Sequence, residues 1–167
     1  MKPHHVALLV WLALGVALNA YVRASTARLP DRIAVHFNAR GQADGWMTGA
    51  QAENFIIGFG IGVSALIMVS GAGVRLVPAR AINIPKRDYW LAPEHRPEAN
   101  EYLRQIFSWA ACAMMLFSLG LQFVLVEANH RDPPELSNPH MLLLVIGLAL
   151  IIVGLMIRMN RQFARGG

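Results

Sequence analysis

Apolar residues gather in four long blocks, 5–22, 55–78, 105–126 and 139–159, with shorter polar stretches between them. A helix needs about 20 residues to cross a hydrocarbon core of roughly 30 Å, and each block is close to that length. Lipid offers backbone N–H and C=O groups no partners, so an open strand cannot cross it and a helix can. The pattern predicts an all-α fold, an integral membrane four-helix bundle forming one domain over residues 1–167.

The connecting stretches have patterns of their own. In the first, 23–54, Ile33, Val35 and Phe37 alternate with Arg32, Ala34, His36 and Asn38. Period two predicts a short strand with one apolar face, laid on the end of the bundle, with His36 and Asn38 turned away from it. "NARGQADG" then supplies turn formers, with Gly41 and Gly45 free to take positive φ, and Trp46 returns the chain to the membrane interface. In the second, 79–104, Pro85 forces Ile84 toward extended backbone. Pro93 or Pro97 then suits the first turn of an amphipathic helix running into the third block. Tyr89 and Trp90 have the character of residues that sit at headgroup level.

Composition agrees with this picture. Hydrophobic residues make up 55% of the chain and charged residues only 15%, against about a quarter in a typical soluble domain. A net charge of +5 would suit nucleic acid, but the basic residues flank the apolar blocks, so no nucleic-acid partner is expected. With the N-terminus in the cytoplasm, Lys2, the 79–104 loop and the C-terminal tail with their flanks hold ten Lys and Arg, against five in the loops 23–54 and 127–138. That asymmetry predicts a multi-pass membrane protein with both termini in the cytoplasm. The first block is read as a retained helix rather than a cleaved signal, because its basic n-region is weak and its apolar run is long. Cys112, the single cysteine, excludes an intrachain disulfide.

Inside the blocks, Gly58 and Gly62 form a GxxxG pair, which predicts the second helix as the central packing helix. The alternative is the general abundance of glycine in membrane helices. Trp109, Cys112, Met114 and Met115 are read as packing residues rather than copper ligands, because no second Cys or nearby His completes a set. The spans are free of charge away from their ends, which argues against a proton relay or an ion-pair transporter core. No cofactor is expected.

Candidate chemistry lies in the loops. His36, Asn38 and Asp44 form either a ligand site or a turn capped by the Asn and Asp side chains. A zinc site would need a further ligand, and His130 or His140 of the 127–138 connection and its flank lie on the same predicted side. In the 79–104 loop, Asp88, Glu94 and His95 are either metal or acid–base groups or a solvated, charged loop, and their spacing is that of no recognised metal site.

"LPDRIAVHFNARGQADGW" resembles the P-x-x-I-x-x-H-F-N-x-x-G-x-x-D signature of a bacterial membrane domain of unknown function found at the front of SdpI-type immunity proteins. The matching positions are Pro30, Ile33, His36, Phe37, Asn38, Gly41 and Asp44. "INIPKRDYWLAPEHR" resembles a second segment of short stand-alone members, through Asn83, Pro85, Asp88, Tyr89, Trp90, Pro93 and Glu94. The resemblance implies a peptide-immunity or signal-relay role and no catalytic residues. It marks His36, Phe37, Asn38, Gly41 and Asp44 as an outward partner-binding motif, and Asn83, Asp88, Tyr89, Trp90 and Glu94 as a cytoplasmic one. The expected function is that of a non-enzymatic membrane protein with a peptide or protein partner. The alternatives are a subunit of a larger membrane complex or a homo-oligomer, and a metal-dependent enzyme or transporter.

Overall fold

The computed structural model describes residues 3–165. Lys2, counted above among the basic flanks, lies outside the described residues. Among the described residues four helices are long and apolar enough to cross a membrane: α1 (Pro3–Thr26), α2 (Gly49–Gly73), α4 (Arg96–Asn129) and α5 (Asn138–Ala164). A fifth, α3 (Arg87–Trp90), is a single turn in the connection between α2 and α4. Between α1 and α2 stand two short strands, β1 (Arg32–Phe37) and β2 (Ala43–Thr48), paired antiparallel. The expected class, an all-α membrane bundle with a short strand and turn segment after its first helix, describes this architecture.

Local signals explain where the helices start. Thr48 caps α2 reciprocally with Gln51: the Gln51 amide donates to Thr48 Oγ1, and Gln51 Oε1 accepts from the Thr48 amide at 3.0 Å. Pro97 and Pro139 lie in the first turns of α4 and α5, where a missing N–H costs nothing. α4 begins at Arg96, so the amphipathic stretch and the apolar block form one 34-residue helix.

The packing hub is α4, not α2. α1, α2 and α5 all pack on α4, and α5 leans chiefly on it. Small buried side chains, among them Ser108, Ala111, Cys112 and Ser118, let neighbouring backbones come close on several sides of α4. The GxxxG pair does not pack within the chain, since a Cβ at Gly58 or Gly62 would meet nothing within 4 Å. The close approaches of α2 are two residues out of phase. A Cβ at Gly60 would lie 2.6 Å from Leu18 Cδ2 and 3.0 Å from Ser118 Cβ, and one at Gly71 would lie 2.5 Å from Phe107 Cβ.

Two apolar cores lie at opposite ends of the bundle. The one at the hairpin end joins Leu18, Val22, Ile33, Ile56, Met115 and Leu125. The other, at the end where α1 starts and α5 finishes, joins Val74, Ile84, Trp90, Leu103 and Phe163. Between the helices, Trp11 Nε1 donates to Ser64 Oγ at 2.9 Å, and Gln122 Nε2 donates to Ser25 Oγ at 2.8 Å. These satisfy polar groups for which hydrocarbon offers no partner.

Candidate functional site

The hairpin is built by the residues of the first motif. Asn38 closes its turn: the Asn38 side-chain oxygen accepts from the amides of Arg40 (2.9 Å) and Gln42 (3.1 Å), and the Asn38 amide donates to the Gln42 carbonyl at 2.9 Å. Gly41 takes φ +84°, the left-handed region that suits glycine, and its carbonyl accepts from the Leu136 amide at 2.8 Å. A Cβ there would press on the Leu136 carbonyl at 3.1 Å. The 127–137 connection therefore lies along the turn, and Gln42 and Glu135 form an isolated bridge.

His36 and Asp44 face each other across the strands, with Nδ1 and Oδ1 2.5 Å apart and both side chains largely exposed. The register slips on either side of His36, which stands opposite Gly45. A Cβ at Gly45 would lie 2.7 Å from His36 Cβ, so glycine is what lets the strands close at that point. Beside this pair the Arg32 guanidinium lies 6.0 Å over the Trp46 ring, with Trp46 41% exposed. Phe37 is half-buried.

The other side of the hairpin is held to the bundle. Ile33 is fully buried, and Val35 and Met47 pack against the same core. Asn129, in the last turn of α4, donates from Nδ2 to the Ala34 carbonyl at 2.9 Å and accepts from the Ala34 amide at 2.8 Å. This buried clamp was not anticipated; its only sign in the sequence is an amide side chain closing an apolar helix.

The three histidines of the suggested zinc site go to three different partners. His36 pairs with Asp44, while His140 Nδ1 lies 2.6 Å from Glu127 Oε2. His130 Nδ1 donates to the Val126 carbonyl at 2.8 Å. Glu127 also holds Arg131 at 2.9 Å, so it ties the end of α4 to the start of α5. Among the described residues no three His, Cys, Asp or Glu side chains gather as metal ligands would. Asn38, suggested as part of a ligand site, is committed to its turn.

The second motif lies at the far end and divides in two. Trp90 is buried: its Nε1 donates to the Phe163 carbonyl at 2.8 Å, and its ring meets the Phe163 ring edge-on at 5.4 Å. It therefore serves as the floor of the bundle rather than as an anchor at headgroup level. Tyr89 stacks on His95 with centroids 4.1 Å apart and keeps an exposed edge. Asn83, Asp88 and Glu94 are exposed, and the Asp88 carboxylate meets its neighbour Arg87 at 3.1 Å. Phe163, fully buried, was not singled out, because one aromatic among arginines near a chain end has no pattern to mark it.

Residues 8–52 match the family model of a domain of unknown function, DUF1648. The DUF1648 match covers less than a third of the chain and runs from α1 through the hairpin into the first turn of α2. It holds His36, Asn38, Gly41 and Asp44 but not Asn129, to which the matched hairpin is clamped. No curated protein and no solved structure matches the chain.

Proposed function

We propose that this chain is a non-enzymatic binding protein of the bacterial cytoplasmic membrane, with both termini in the cytoplasm, that recognises a peptide or protein partner at its hairpin end. The observation that carries the reading is the exposed side of the hairpin. Arg32 and Trp46 sit beside the His36–Asp44 pair, on strands tethered beneath by Asn129 and along the turn by Leu136. Arg and Trp are the side chains that most often anchor protein interfaces, and a pre-ordered hairpin loses little entropy when a partner docks. The likeness to SdpI-type proteins adds the expectation of a secreted peptide as that partner, with immunity or relay as the outcome. A deletion strain should be more sensitive to peptide toxins or to envelope stress, and the Trp46→Ala chain should fail to restore the wild-type response. Unaltered sensitivity of the deletion strain to both challenges would remove the proposal.

A second reading, a subunit of a larger membrane complex or a homo-oligomer, is favoured by the open face of α2. There Gly58 and Gly62 meet nothing within the chain, and Phe55 and Phe59 are exposed beside them. Purification in mild detergent as a lone monomer would end it.

A further inference from the structure

One face of α5 and its C-cap carries Leu143, Gly147, Ile151, Gly154, Arg158, Arg161 and, at the cap, Arg165, at the spacings of three and four that align side chains along a helix. Its two halves differ in chemistry. Near the C-terminal end, Arg158, Arg161, Arg165 and Gln162 join Tyr102 of α4 around an open cavity of about 310 Å³. Further along the same pair of helices, Leu143, Gly147 and Ile151 face Leu116 and Phe117 across an apolar groove of about 190 Å³. Gly154 belongs to the first cavity and Gly147 to the second, and a Cβ at either would meet nothing within 4 Å.

The three guanidinium groups have no charged partner among the described residues, and α5 contains no acidic side chain. The nearby carboxylates Glu98 and Glu101 line a different cavity, behind Gln162 and Phe163, and Glu101 already meets His4. Arginine forks suit phosphate oxygens, and unpaired arginines at the end of a membrane-length helix sit where anionic headgroups lie. By helical rise the apolar groove begins about 10 Å from Arg158 along α5 and ends about 22 Å from it, a span that overlaps one leaflet, roughly 15 Å deep. A free anion would use the first cavity and leave the groove empty; a molecule with an anionic head and an apolar tail uses both.

We propose that the α4–α5 groove is a binding site for an anionic phospholipid, its phosphate held by Arg158, Arg161 and Arg165 and an acyl chain laid along Leu143, Gly147 and Ile151. The full chain, reconstituted in phosphatidylcholine vesicles, tests this with spin-labelled phosphatidylglycerol and spin-labelled phosphatidylcholine, read as the motionally restricted fraction of each. The wild type should retain phosphatidylglycerol preferentially. Arg158→Gln and Arg161→Gln should each lower that preference by about fivefold. Gly154→Leu, which keeps every charge and enters open space, should also lower it, whereas Arg80→Gln should leave it unchanged. Three results would overturn the site: no preference in the wild type, an equal loss with Arg80→Gln that reports diffuse surface charge, or release of the labelled lipid by inorganic phosphate alone.

Discussion

Asn129 binds both backbone polar atoms of Ala34, a residue 95 positions earlier in the chain. One amide side chain thereby continues the hairpin's hydrogen bonding into α4. A buried donor or acceptor left unpaired costs about 1–3 kcal/mol. Asn129→Ala leaves the Ala34 N–H and C=O without partners and should lower stability by about 2–4 kcal/mol. Asn129→Asp keeps the acceptor and loses the donor, and it adds a buried charge, so it should not rescue. Amide exchange of the hairpin in detergent checks both; protection of Ala34 as strong in Asn129→Ala as in the wild type would refute the clamp.

His36 and Asp44 form an exposed pair, and exposed pairs contribute about 0.2–1 kcal/mol. Asp44→Asn should therefore change stability little. Gly45→Ala should do more harm, because its new methyl group would meet His36 Cβ at 2.7 Å between paired strands. Thermal unfolding of the two variants in the same detergent orders them, and the reverse order would assign the hairpin's closure to the His36–Asp44 contact.

Helix packing gives a phase test along α2. Gly60→Val places atoms against Leu18 and Ser118, and overpacking of this kind costs about 1–3 kcal/mol. Gly58→Val enters open space and should leave the monomer's stability within about 0.5 kcal/mol. Equal destabilisation by the two would show that the GxxxG pair packs within the chain after all.

At the opposite end, Phe163→Ala removes a fully buried ring that meets Trp90 and Tyr102 edge-on. The expected loss is about 3–5 kcal/mol. Trp90→Phe keeps most of the packing and loses the bond to the Phe163 carbonyl, for about 1 kcal/mol. Denaturation midpoints of the two variants give the comparison, and a Phe163→Ala protein as stable as wild type would refute the floor of the bundle.

The proposed orientation has a direct chemical test. Cys112 is buried, and its thiol donates to the Ala7 carbonyl at 3.3 Å. Gln42, in the hairpin turn, is exposed. In a Cys112→Ser background, a cysteine placed at Gln42 should react with an impermeant thiol reagent in intact cells. Reaction only after lysis would invert the topology.

The four helices were legible because hydrophobic length is a property of every residue in a block, and no single position decides it. Their hierarchy was not. GxxxG spacing says which residues allow close approach, but the azimuth of α2 is set by Leu18 and Ser118 on other helices. β1 was visible in its alternation, whereas β2 was not: "ADGWMT" has few strand-forming residues and pairs because Asn38 and Gly41 turn the chain back onto β1. The hairpin residues His36, Asn38, Gly41 and Asp44 stand close together in sequence and share a turn, so they could be read as a group. Asn129 and Phe163 act on partners 95 and 73 positions away, and their single letters hold no trace of those partners.

The bond from Trp90 to the Phe163 carbonyl also sets an order of events during synthesis. The ribosome makes the 79–95 segment well before Phe163, which lies in the last turn of α5. Until the last turn of α5 has been made, Trp90 lacks the Phe163 ring and carbonyl that cover it in the folded chain. The face of Trp90 that Phe163 covers stays open while the intervening chain is made. The floor of the bundle is thus completed only by the last turn of α5, and a chain cut short before Phe163 would leave Trp90 uncovered.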